Sequence, residues 1–222
     1  MKAGFFVAGT DTGVGKTAFS AALLRSFAAL GLRSAGMKPV AAGCSQGRND
    51  DVEALIAASS AQIDRSLVCP YLFEPPIAPH IAASEAGVKI DLAVIDVAFQ
   101  RLQVQVDVVV VEGVGGFRVP LNEREDAAGM AKRLGLPVIL VVGLRIGCLN
   151  HALLTRDAIE AEGLELAGWV ANRIDPGMAR ADENVQALRE RLGTRLIADV
   201  PFGAASGFRV PLERLWPGRG LL

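Results

Sequence analysis

The segment 9-GTDTGVGKT-17 decides how this chain is interpreted, because it ends in the Gly-Lys-Thr of nucleotide-binding loops. The standard phosphate-binding pattern G-x-x-x-x-G-K-[ST] would place its first glycine at position 10. This chain has Thr10 there, and the glycine is Gly9, so the loop is one residue longer than the standard one. A strand pattern, 4-GFFVAG-9, precedes the loop and a helical run, KTAFSAALLRSF, follows it. That order is the one a phosphate loop requires.

The residue types in the loop suit an anionic ligand. Backbone N–H groups and the helix dipole attract negative charge to a helix start. Gly13 and Gly15 let the backbone curl close to a phosphate, Lys16 supplies a cation, and Thr17 offers a hydroxyl to Mg²⁺. The extra residue predicts a loop widened near Thr12 and Gly13, so that Thr12 faces a second ligand beside the terminal phosphate. The alternative is a tight strand-to-helix turn that merely contains Gly-Lys-Thr.

Short apolar runs alternate with longer helical patterns along the chain. We predict strands at 4–9, 33–40, 106–112, 137–143, 166–172 and 195–201, and helices at 15–30, 50–59, 91–104, 125–134, 149–162 and 178–192. Runs such as VVVV and VILVV are apolar on both faces, as in parallel strands covered by helices on both sides. The predicted fold is α/β, a doubly wound, mostly parallel sheet flanked by helices, similar to P-loop NTPases, with one domain over 1–222. The segment 70-PYLFEPPIAPH-80 is predicted to form a rigid surface excursion.

Composition excludes several classes of protein. The 23 Lys and Arg residues nearly balance 24 Asp and Glu, so no nucleic-acid partner is expected. No apolar run approaches the roughly 20 residues that span a bilayer, and the N-terminal segment is short of a signal peptide. A cytoplasmic protein without a membrane partner is therefore expected. Three cysteines without CxxC spacing and two histidines argue against a disulfide framework and a zinc site.

Charged residues lie at or after the ends of two of the predicted strands, at the edge where open parallel sheets bind ligands. Glu112 ends the run VVVVE, where an acid would bind Mg²⁺, although a strand-ending residue in solvent is the alternative. Asp50 and Asp51 follow the second strand, but Asn-Asp-Asp is also an ordinary helix N-cap. Lys38, held by Pro39, is predicted to point toward the phosphate loop and to stabilise charge during phosphoryl transfer. A surface lysine is an equal alternative.

Two further segments suit a nucleotide ligand. The glycines of 112-EGVGGF-117 allow close approach of the backbone to a ligand. The segment 172-NRID-175 is similar to the guanine-reading N-K-x-D of GTPases, with Arg173 in place of lysine. Asn172 is therefore predicted to meet a purine edge, and the choice between adenine and guanine stays open.

Together these segments resemble the dethiobiotin synthetase family over nearly the whole chain. The segments that carry the resemblance are 9-GTDTGVGKT-17, 38-KPVAAG-43, 48-RNDD-51, 70-PYLFEPPIAPH-80, 111-VEGVGG-116, 136-LPVILVVGLRIGCLNH-151 and 168-GWVAN-172. The resemblance implies that the chain closes 7,8-diaminononanoate and CO₂ into the cyclic urea of dethiobiotin. The reaction would use ATP and Mg²⁺ and pass through a carbamate and a carbamic–phosphoric anhydride. It also implies a homodimer whose sites lie at the subunit interface.

The resemblance implies roles for individual residues. Lys16 and Lys38 would be catalytic, and Thr17, Asp51 and Glu112 would hold Mg²⁺. The implied nucleotide contacts are Thr12, Gly13, Val14, Gly15, Lys16, Thr17, Ala18, Asp51, Glu112, Gly115, Asn172, Arg173, Pro201, Phe202 and Gly203. The implied substrate contacts are Thr12, Lys38, Ala42, Gly115, Gly147, Cys148, Leu149 and Asn150, the last four from the partner subunit's loop.

The chain departs from the family pattern at several positions. Ala42 stands where the family often has Ser, Gly13 where some members have Glu, and Arg145 where Lys is common. The C-terminal segment 203–222 matches poorly. A partitioning ATPase with a deviant phosphate loop is the main alternative, but it needs a signature lysine where this chain has Asp11. A GTPase switch would want D-x-x-G where the chain has E-G-V-G.

Overall fold

The main sheet of the protein consists of six parallel strands. The computed structural model describes residues 3–204 and 207–215. The strands there are β1 (Ala3–Gly9), β2 (Ser34–Met37), β3 (Val40–Ala42), β4 (Tyr71–Phe73), β5 (Val108–Glu112), β6 (Val138–Gly143), β7 (Leu166–Asn172) and β8 (Leu196–Val200). Six of them form one sheet in the order β2-β5-β1-β6-β7-β8, and β3 pairs with β4 in a second, two-stranded sheet. Each pairing between these strands is parallel.

Helices cover both faces of this sheet. They are α1 (Lys16–Ala29), α2 (Asp50–Ala58), α3 (Arg65–Val68), α4 (Pro79–Glu85), α5 (Leu92–Gln103), α6 (Ala127–Leu134), α7 (Cys148–Ala161), α8 (Ala181–Arg191) and α9 (Leu212–Leu215). Phe5 and Val7 of β1 pack in a core with α1, α2 and α9, whereas Phe6 and Ala8 pack in a core with α4 to α8. The alternating residues of one strand therefore serve two cores, and the predicted α/β fold with a doubly wound parallel sheet is confirmed.

The strand order places the phosphate loop at a crevice. From β1 the chain runs to β2 on one side of the sheet, whereas β6, β7 and β8 follow one another on the other side. Connections that leave in opposite directions open a crevice at the carboxyl ends of the strands, where ligands bind in open α/β sheets. The segment from Thr10 to Gly15 lies at that crevice because β1 is a central strand.

Most predicted elements agree with the structure to within three residues, but the strand predicted at 33–40 is wrong at its end. That strand leaves the main sheet after Met37, and Val40 begins β3 of the second sheet. The backbone N–H of Lys38 donates to the carbonyl of Val68 at 2.8 Å instead of continuing the ladder with β5. Pro39 has no N–H to offer, so the chain changes partner at this point.

The prediction of a surface excursion at 70–80 is wrong for part of the segment, although Glu74, Pro76 and Ile77 are exposed. Tyr71–Phe73 forms β4, and Phe73 is buried. Pro79 stands at the first turn of α4, where proline is well tolerated because an N–H there would lack a helical partner. Pro76 and Pro79 line the crevice, which the sequence pattern alone does not distinguish from a rigid exposed turn.

Between residues 3 and 215, leaving out 205 and 206, no helix is long and apolar enough to cross a membrane. The predicted single domain over 1–222 stays a prediction, and its positions 1, 2, 205, 206 and 216–222 lie outside the described residues. The same holds for those positions of the poorly matching segment 203–222.

Candidate active site

The phosphate loop leaves β1 at Gly9 and enters α1 at Lys16. Gly13 and Gly15 have φ angles of 73° and 91°, in the left-handed region that only glycine adopts freely. Gly15 is the N-cap of α1, and no side chain caps this helix start. The first-turn N–H groups are therefore available to an anion, as the sequence predicted.

Lys16 is folded back on its own loop. Its Nζ donates to the carbonyl of Asp11 at 2.9 Å, and only 6% of the residue is exposed. Burial and, after it, the positive charge of Lys38 lower the pKa of Lys16 to about 8, against the opposing carboxylates of Glu112 and Asp51. An anion that enters this crevice at neutral pH would therefore meet a lysine that is mostly protonated.

Four side chains from four segments meet beside the loop. The Oγ1 atom of Thr17 lies 2.7 Å from Oδ1 of Asp51 and 2.8 Å from Oε1 of Glu112. The Nζ atom of Lys38 lies 3.0 Å from Oδ2 of Asp51 and 2.5 Å from Oε1 of Glu112. Lys38 and Glu112 are buried, so the predicted surface and solvent alternatives for these two residues are excluded.

The two carboxylates keep Lys38 charged. Burial by itself would lower the pKa of Lys38, but the charges of Glu112 and Asp51 and their hydrogen bonds outweigh burial and raise it. Burial by itself would raise the pKa of Asp51, and there Lys38 and the Thr17 hydroxyl outweigh it, so the pKa is lowered. The cluster therefore holds a protonated amine against an ionised Asp51 at neutral pH.

The oxygens of this cluster suit a hard cation. Thr17 has one hydroxyl proton but lies within hydrogen-bond distance of two carboxylate oxygens, and Oε2 of Glu112 is buried without a hydrogen-bond partner. Ligand oxygens on adjacent positions of an octahedral Mg²⁺ lie about 3 Å apart, close to these separations. No group of three or more His, Cys, Asp or Glu side chains could hold a metal among the described residues. The donor set is thus two carboxylates and a hydroxyl, and Mg²⁺ commonly needs no more from a protein.

The crevice has a volume of about 770 Å³ and a mixed lining. The charged cluster and the phosphate loop form one part of this lining. The apolar part, called the apolar wall, consists of Ile77, Val114 and Val119 beside Pro76 and Pro79. The predicted residues that line the crevice are Thr12, Gly13, Gly15, Lys16, Thr17, Ala18, Lys38, Ala42, Asp51, Glu112 and Gly115. The sequence pattern does not predict the apolar wall, because the prolines of 70–80 indicate an external turn.

The remaining predicted residues lie elsewhere. Asn172 donates from Nδ2 to the carbonyl of Val14 at 2.8 Å and borders a small cavity that Phe208 and Ala18 also line. Arg173 forms ion pairs with Asp199 and Asp182, so its guanidinium is engaged. The contact of Asn172 with a purine stays a prediction, as do those of Pro201, Phe202 and Gly203, which lie beyond β8.

The segment 147–150 does not line the crevice of its own chain. Gly147 has a φ angle of 93° and is the N-cap of α7, with no side-chain cap. Cys148 is buried, and burial raises the pKa of its thiol, so the thiol is neutral at pH 7. A thiolate of Cys148 is therefore not expected to contact a substrate, and the backbone N–H of this residue donates to the carbonyl of Arg145 at 3.0 Å.

Sequence reasoning also missed an ion pair between the phosphate loop and the loop after β6. Nη2 of Arg145 contacts Oδ2 of Asp11, and Oδ1 of Asp11 accepts the backbone N–H of Thr12 at 2.7 Å. The signal in the sequence was an acid and a base, each two residues past a strand end, after two strands that prove to be neighbours.

Known proteins resemble this chain over most of its length. A family model described as an AAA domain matches residues 3–207. A protein of Nitrosospira multiformis named "ATP-dependent dethiobiotin synthetase BioD" is 56% identical over 202 residues, which are 91% of this chain and 89% of that protein. A protein of Aromatoleum aromaticum with the same name is 55% identical over 206 residues, 91% of this chain and 92% of that protein.

The chain belongs to the dethiobiotin synthetase family. Its members are ligases, and the name of both relatives includes dependence on ATP, in keeping with the phosphate loop described above. The resemblance predicted from the sequence segments is confirmed. Among solved structures, the septum-site protein MinD of Pyrococcus horikoshii has a TM-score of 0.59 at 16% identity, covering 90% of this chain and 82% of that one. The cell division ATPase MinD of Pyrococcus furiosus has a TM-score of 0.57 at 19% identity, covering 90% and 84%. At such identities the likeness shows a P-loop NTPase fold and nothing more.

Proposed function

We propose that the protein uses ATP, Mg²⁺ and CO₂ to carboxylate 7,8-diaminononanoate and close it into the cyclic urea of dethiobiotin. The observation that carries this proposal is the cluster in which Lys38 is held by Asp51 and Glu112 beside the phosphate loop. It provides a buried cation a short way from the place of a terminal phosphate. A carbamate and a phosphate are both anions, and a cation between them suits the transfer of a phosphoryl group from one to the other.

The reaction is divided into three steps, in which the protein positions groups and neutralises charge. One amine of the diamine attacks CO₂, loses a proton and becomes a carbamate. A carbamate oxygen attacks the γ-phosphorus of ATP, and ADP leaves. The second amine then attacks the carbonyl carbon of the mixed anhydride, phosphate leaves, and the amine loses a proton. No covalent bond to the protein is required, so positioning supplies most of the rate enhancement.

The phosphate loop and Lys16 take the nucleotide side of this reaction. The first-turn N–H groups of α1 face the anion, and Lys16 exchanges the carbonyl of Asp11 for a phosphate oxygen. Thr12, Gly13 and Val14 of the loop and Ala18 of α1 are proposed to contact the nucleotide as well. On the far side, Asn172, Arg173 and Pro201–Gly203 are proposed to border the base.

Thr17, Asp51 and Glu112 are proposed to hold Mg²⁺. Oγ1 of Thr17 lies 2.7 Å from Oδ1 of Asp51 and 2.8 Å from Oε1 of Glu112. The buried Oε2 of Glu112 has no hydrogen-bond partner. When bound, Mg²⁺ would neutralise charge on the β- and γ-phosphate oxygens. Lys38, which the two carboxylates keep protonated in the free protein, would turn from them toward the reacting oxygens.

The apolar wall suits the chain of the diamine. Ile77, Val114 and Val119 offer hydrocarbon surface in the same crevice as the charged cluster. The diamine has two amines at one end and a methylene chain beyond them. Its polar end and its apolar chain therefore suit the charged and the apolar parts of the crevice. Ala42 and Gly115 also line the crevice and are proposed to contact the substrate through backbone groups, since Ala42 offers no hydroxyl.

A homodimer would complete the site. Gly147, Cys148, Leu149 and Asn150 do not line their own crevice, yet the helix that begins there has no side-chain cap, and such a helix start suits a carboxylate. The adjacent Ile146 is 82% exposed, as expected of a side chain that a second subunit covers. We propose that this loop reaches the partner's crevice and binds the carboxylate of the diamine. A cytoplasmic location belongs to the same proposal, and three free cysteines suit a reducing compartment.

Analysis of the product tests this function directly. Purified protein with ATP, Mg²⁺, the diamine and ¹³C-bicarbonate should give a cyclic urea with one ¹³C, observed by mass spectrometry as a one-dalton shift from the unlabelled product. Labelled product should disappear when ATP or Mg²⁺ is left out. An open-chain phosphorylated product, or a urea without the label, would contradict the proposed sequence of steps.

A further inference from the structure

Asp11 joins three parts of the site. Its Oδ1 accepts the backbone N–H of Thr12 at 2.7 Å, and its carbonyl accepts Nζ of Lys16 at 2.9 Å. Its Oδ2 pairs with the guanidinium of Arg145, which comes from a different loop. One residue therefore contacts the loop backbone, the loop lysine and a cation 134 positions away in the chain.

Arg145 is part of the turn that begins α7. Its carbonyl accepts the N–H of Cys148 at 3.0 Å, and the N–H of the preceding Leu144 donates to the carbonyl of Asn172 at 2.8 Å. Gly147 then takes a left-handed conformation and the helix starts. The backbone of Arg145 is thus fixed on both sides, and only its side chain extends toward the phosphate loop.

The parallel register explains why these two loops meet. Gly9 of β1 is opposite Val141 of β6, and the N–H of Thr10 donates to the carbonyl of Val141 at 3.1 Å. Adjacent parallel strands release their loops at the same edge of the sheet. Asp11 and Arg145 each follow a strand end by two residues, so their side chains meet above that edge.

We propose that Arg145 is a positioning residue which, through Asp11, ties the phosphate loop to the start of α7. Binding of a nucleotide at the loop would then also order residues 146–150. A triphosphate brings negative charge beside the carboxylate of Asp11, and the guanidinium of Arg145 neutralises that carboxylate. When Lys16 turns from the carbonyl of Asp11 to a phosphate, the pair with Arg145 and the bond to Thr12 still hold Asp11 in place.

The consequence for catalysis rests on the proposed function, in which 147–150 serves the partner's crevice. Arg145 would then couple nucleotide binding in one crevice to the order of the loop that binds the carboxylate in the other crevice. An ion pair as exposed as this one, with side chains 43% and 44% accessible, changes global stability only slightly. Its effect should therefore appear in local order rather than in unfolding.

Hydrogen–deuterium exchange with Mg²⁺ and β,γ-methylene-ATP tests the tie without any turnover. In the wild type, the analogue should slow exchange in 10–17 and also in 146–151. In Arg145→Ala, protection of 10–17 should remain while the analogue-dependent protection of 146–151 is lost. The Kd of the analogue should rise about two- to fivefold, the size expected for an exposed ion pair.

Two variants act as controls. Arg145→Lys keeps a cation and should restore protection of 146–151. Arg133→Ala removes a similarly exposed arginine, 45% accessible and paired with Asp96, and should behave like the wild type. Asp11→Asn combined with Arg145→Ala should be no worse than Arg145→Ala alone, since both changes break the same tie.

Three results would overturn the proposal. They are analogue-dependent protection of 146–151 that persists in Arg145→Ala, the absence of such protection in the wild type, and losses that add in the double variant. A wild type that shows the exchange pattern but makes no dethiobiotin would instead overturn the proposed function and leave the tie intact.

Discussion

Nζ of Lys38 lies 2.5 Å from Oε1 of Glu112, and both side chains are almost completely withdrawn from solvent. Charges so buried are costly unless they are paired, and here Asp51 and Thr17 complete the pairing. The four side chains come from the ends of β2 and β5 and from the starts of α1 and α2. The cluster therefore links the strand ends at the crevice to the helix that follows the phosphate loop.

Replacement of Lys38 should impair turnover far more than nucleotide binding. In Lys38→Ala, we expect kcat to fall by at least about 100-fold, the loss typical when one charge-stabilising donor is removed. The Kd of an ATP analogue with Mg²⁺ should change by no more than about threefold, because Lys16 and the loop amides remain. Steady-state kinetics and calorimetry measure the two effects.

The control for this prediction is Lys132→Ala, which removes an exposed lysine of α6. It should leave both quantities unchanged. A turnover number for Lys38→Ala equal to that of the wild type would remove Lys38 from the mechanism.

Nucleotide affinity should fall as pH rises through about 8. The pKa of Lys16 is lowered to about 8 in the free protein by burial and by Lys38, and a bound phosphate raises it again. The affinity for the analogue should therefore be constant below pH 8. Above pH 8, binding should be accompanied by proton uptake at Lys16, and the affinity should fall by up to about tenfold per pH unit. Calorimetry from pH 7 to 9.5, in buffers of different ionisation enthalpy, measures both the affinity and the proton uptake.

Lys16→Arg is the control, since a guanidinium stays charged over this range and the affinity should be independent of pH. Proton release on binding, or a wild-type affinity that stays constant up to pH 9.5, would contradict the account of Lys16.

An alanine at Gly15 should be much more damaging than one at Gly13. Both glycines have positive φ, so each alanine costs about 1–2 kcal/mol in backbone strain. A Cβ at Gly13 would meet nothing within 4 Å, but one at Gly15 would overlap with Nδ2 of Asn172. Gly15→Ala must therefore displace Asn172 from the carbonyl of Val14, and it should also abolish measurable binding of the ATP analogue.

Urea unfolding and calorimetry compare the two variants. Asn172→Ala combined with Gly15→Ala should regain part of the stability, because the obstructing amide is gone. Equal losses in Gly13→Ala and Gly15→Ala would show that the contact with Asn172 has no effect.

Mixed dimers should recover activity if sites are shared between subunits. Lys16→Ala disables the phosphate loop, and Asn150→Glu places a negative charge at the helix start that is proposed to bind the carboxylate. Each variant alone should be nearly inactive. After subunit exchange, an equal mixture should regain about a quarter of wild-type activity, since half the dimers are mixed and each has one intact site.

The control mixture contains the wild type and the double variant that carries both Lys16→Ala and Asn150→Glu. Subunit exchange in this mixture creates no new intact site. An absence of recovery, with exchange shown independently by mass spectrometry of tagged subunits, would contradict composite sites.

The sequence was sufficient to predict the sheet and the charged wall of the crevice. Parallel strands release their loops at one edge, so Lys16, Asp51 and Glu112 had to gather there once the strands were recognised. The position of Lys38 was harder to predict, because a lysine before a proline occurs as often on the surface as in a binding site. Its place follows from the change of pairing partner after Met37, which depends on Val68 and is not visible in the local pattern.

Contacts between loops could not be predicted in the same way. The tie between Asp11 and Arg145 depends on β1 and β6 being neighbours, a fact of strand order that spacing does not contain. The engagement of Asn172 by Val14 is a similar case, since a strand-end amide can face a ligand or a neighbouring loop equally well. The apolar wall was missed because proline fixes the backbone without indicating which side the chain buries.

The central claim is most directly tested by the rate of ADP formation with each reactant left out in turn. Purified protein with ATP and Mg²⁺ should form ADP only when 7,8-diaminononanoate and bicarbonate are both present, with one ADP per dethiobiotin. Rapid ADP formation without the diamine, or stimulation by DNA or by a partner protein instead, would contradict the account.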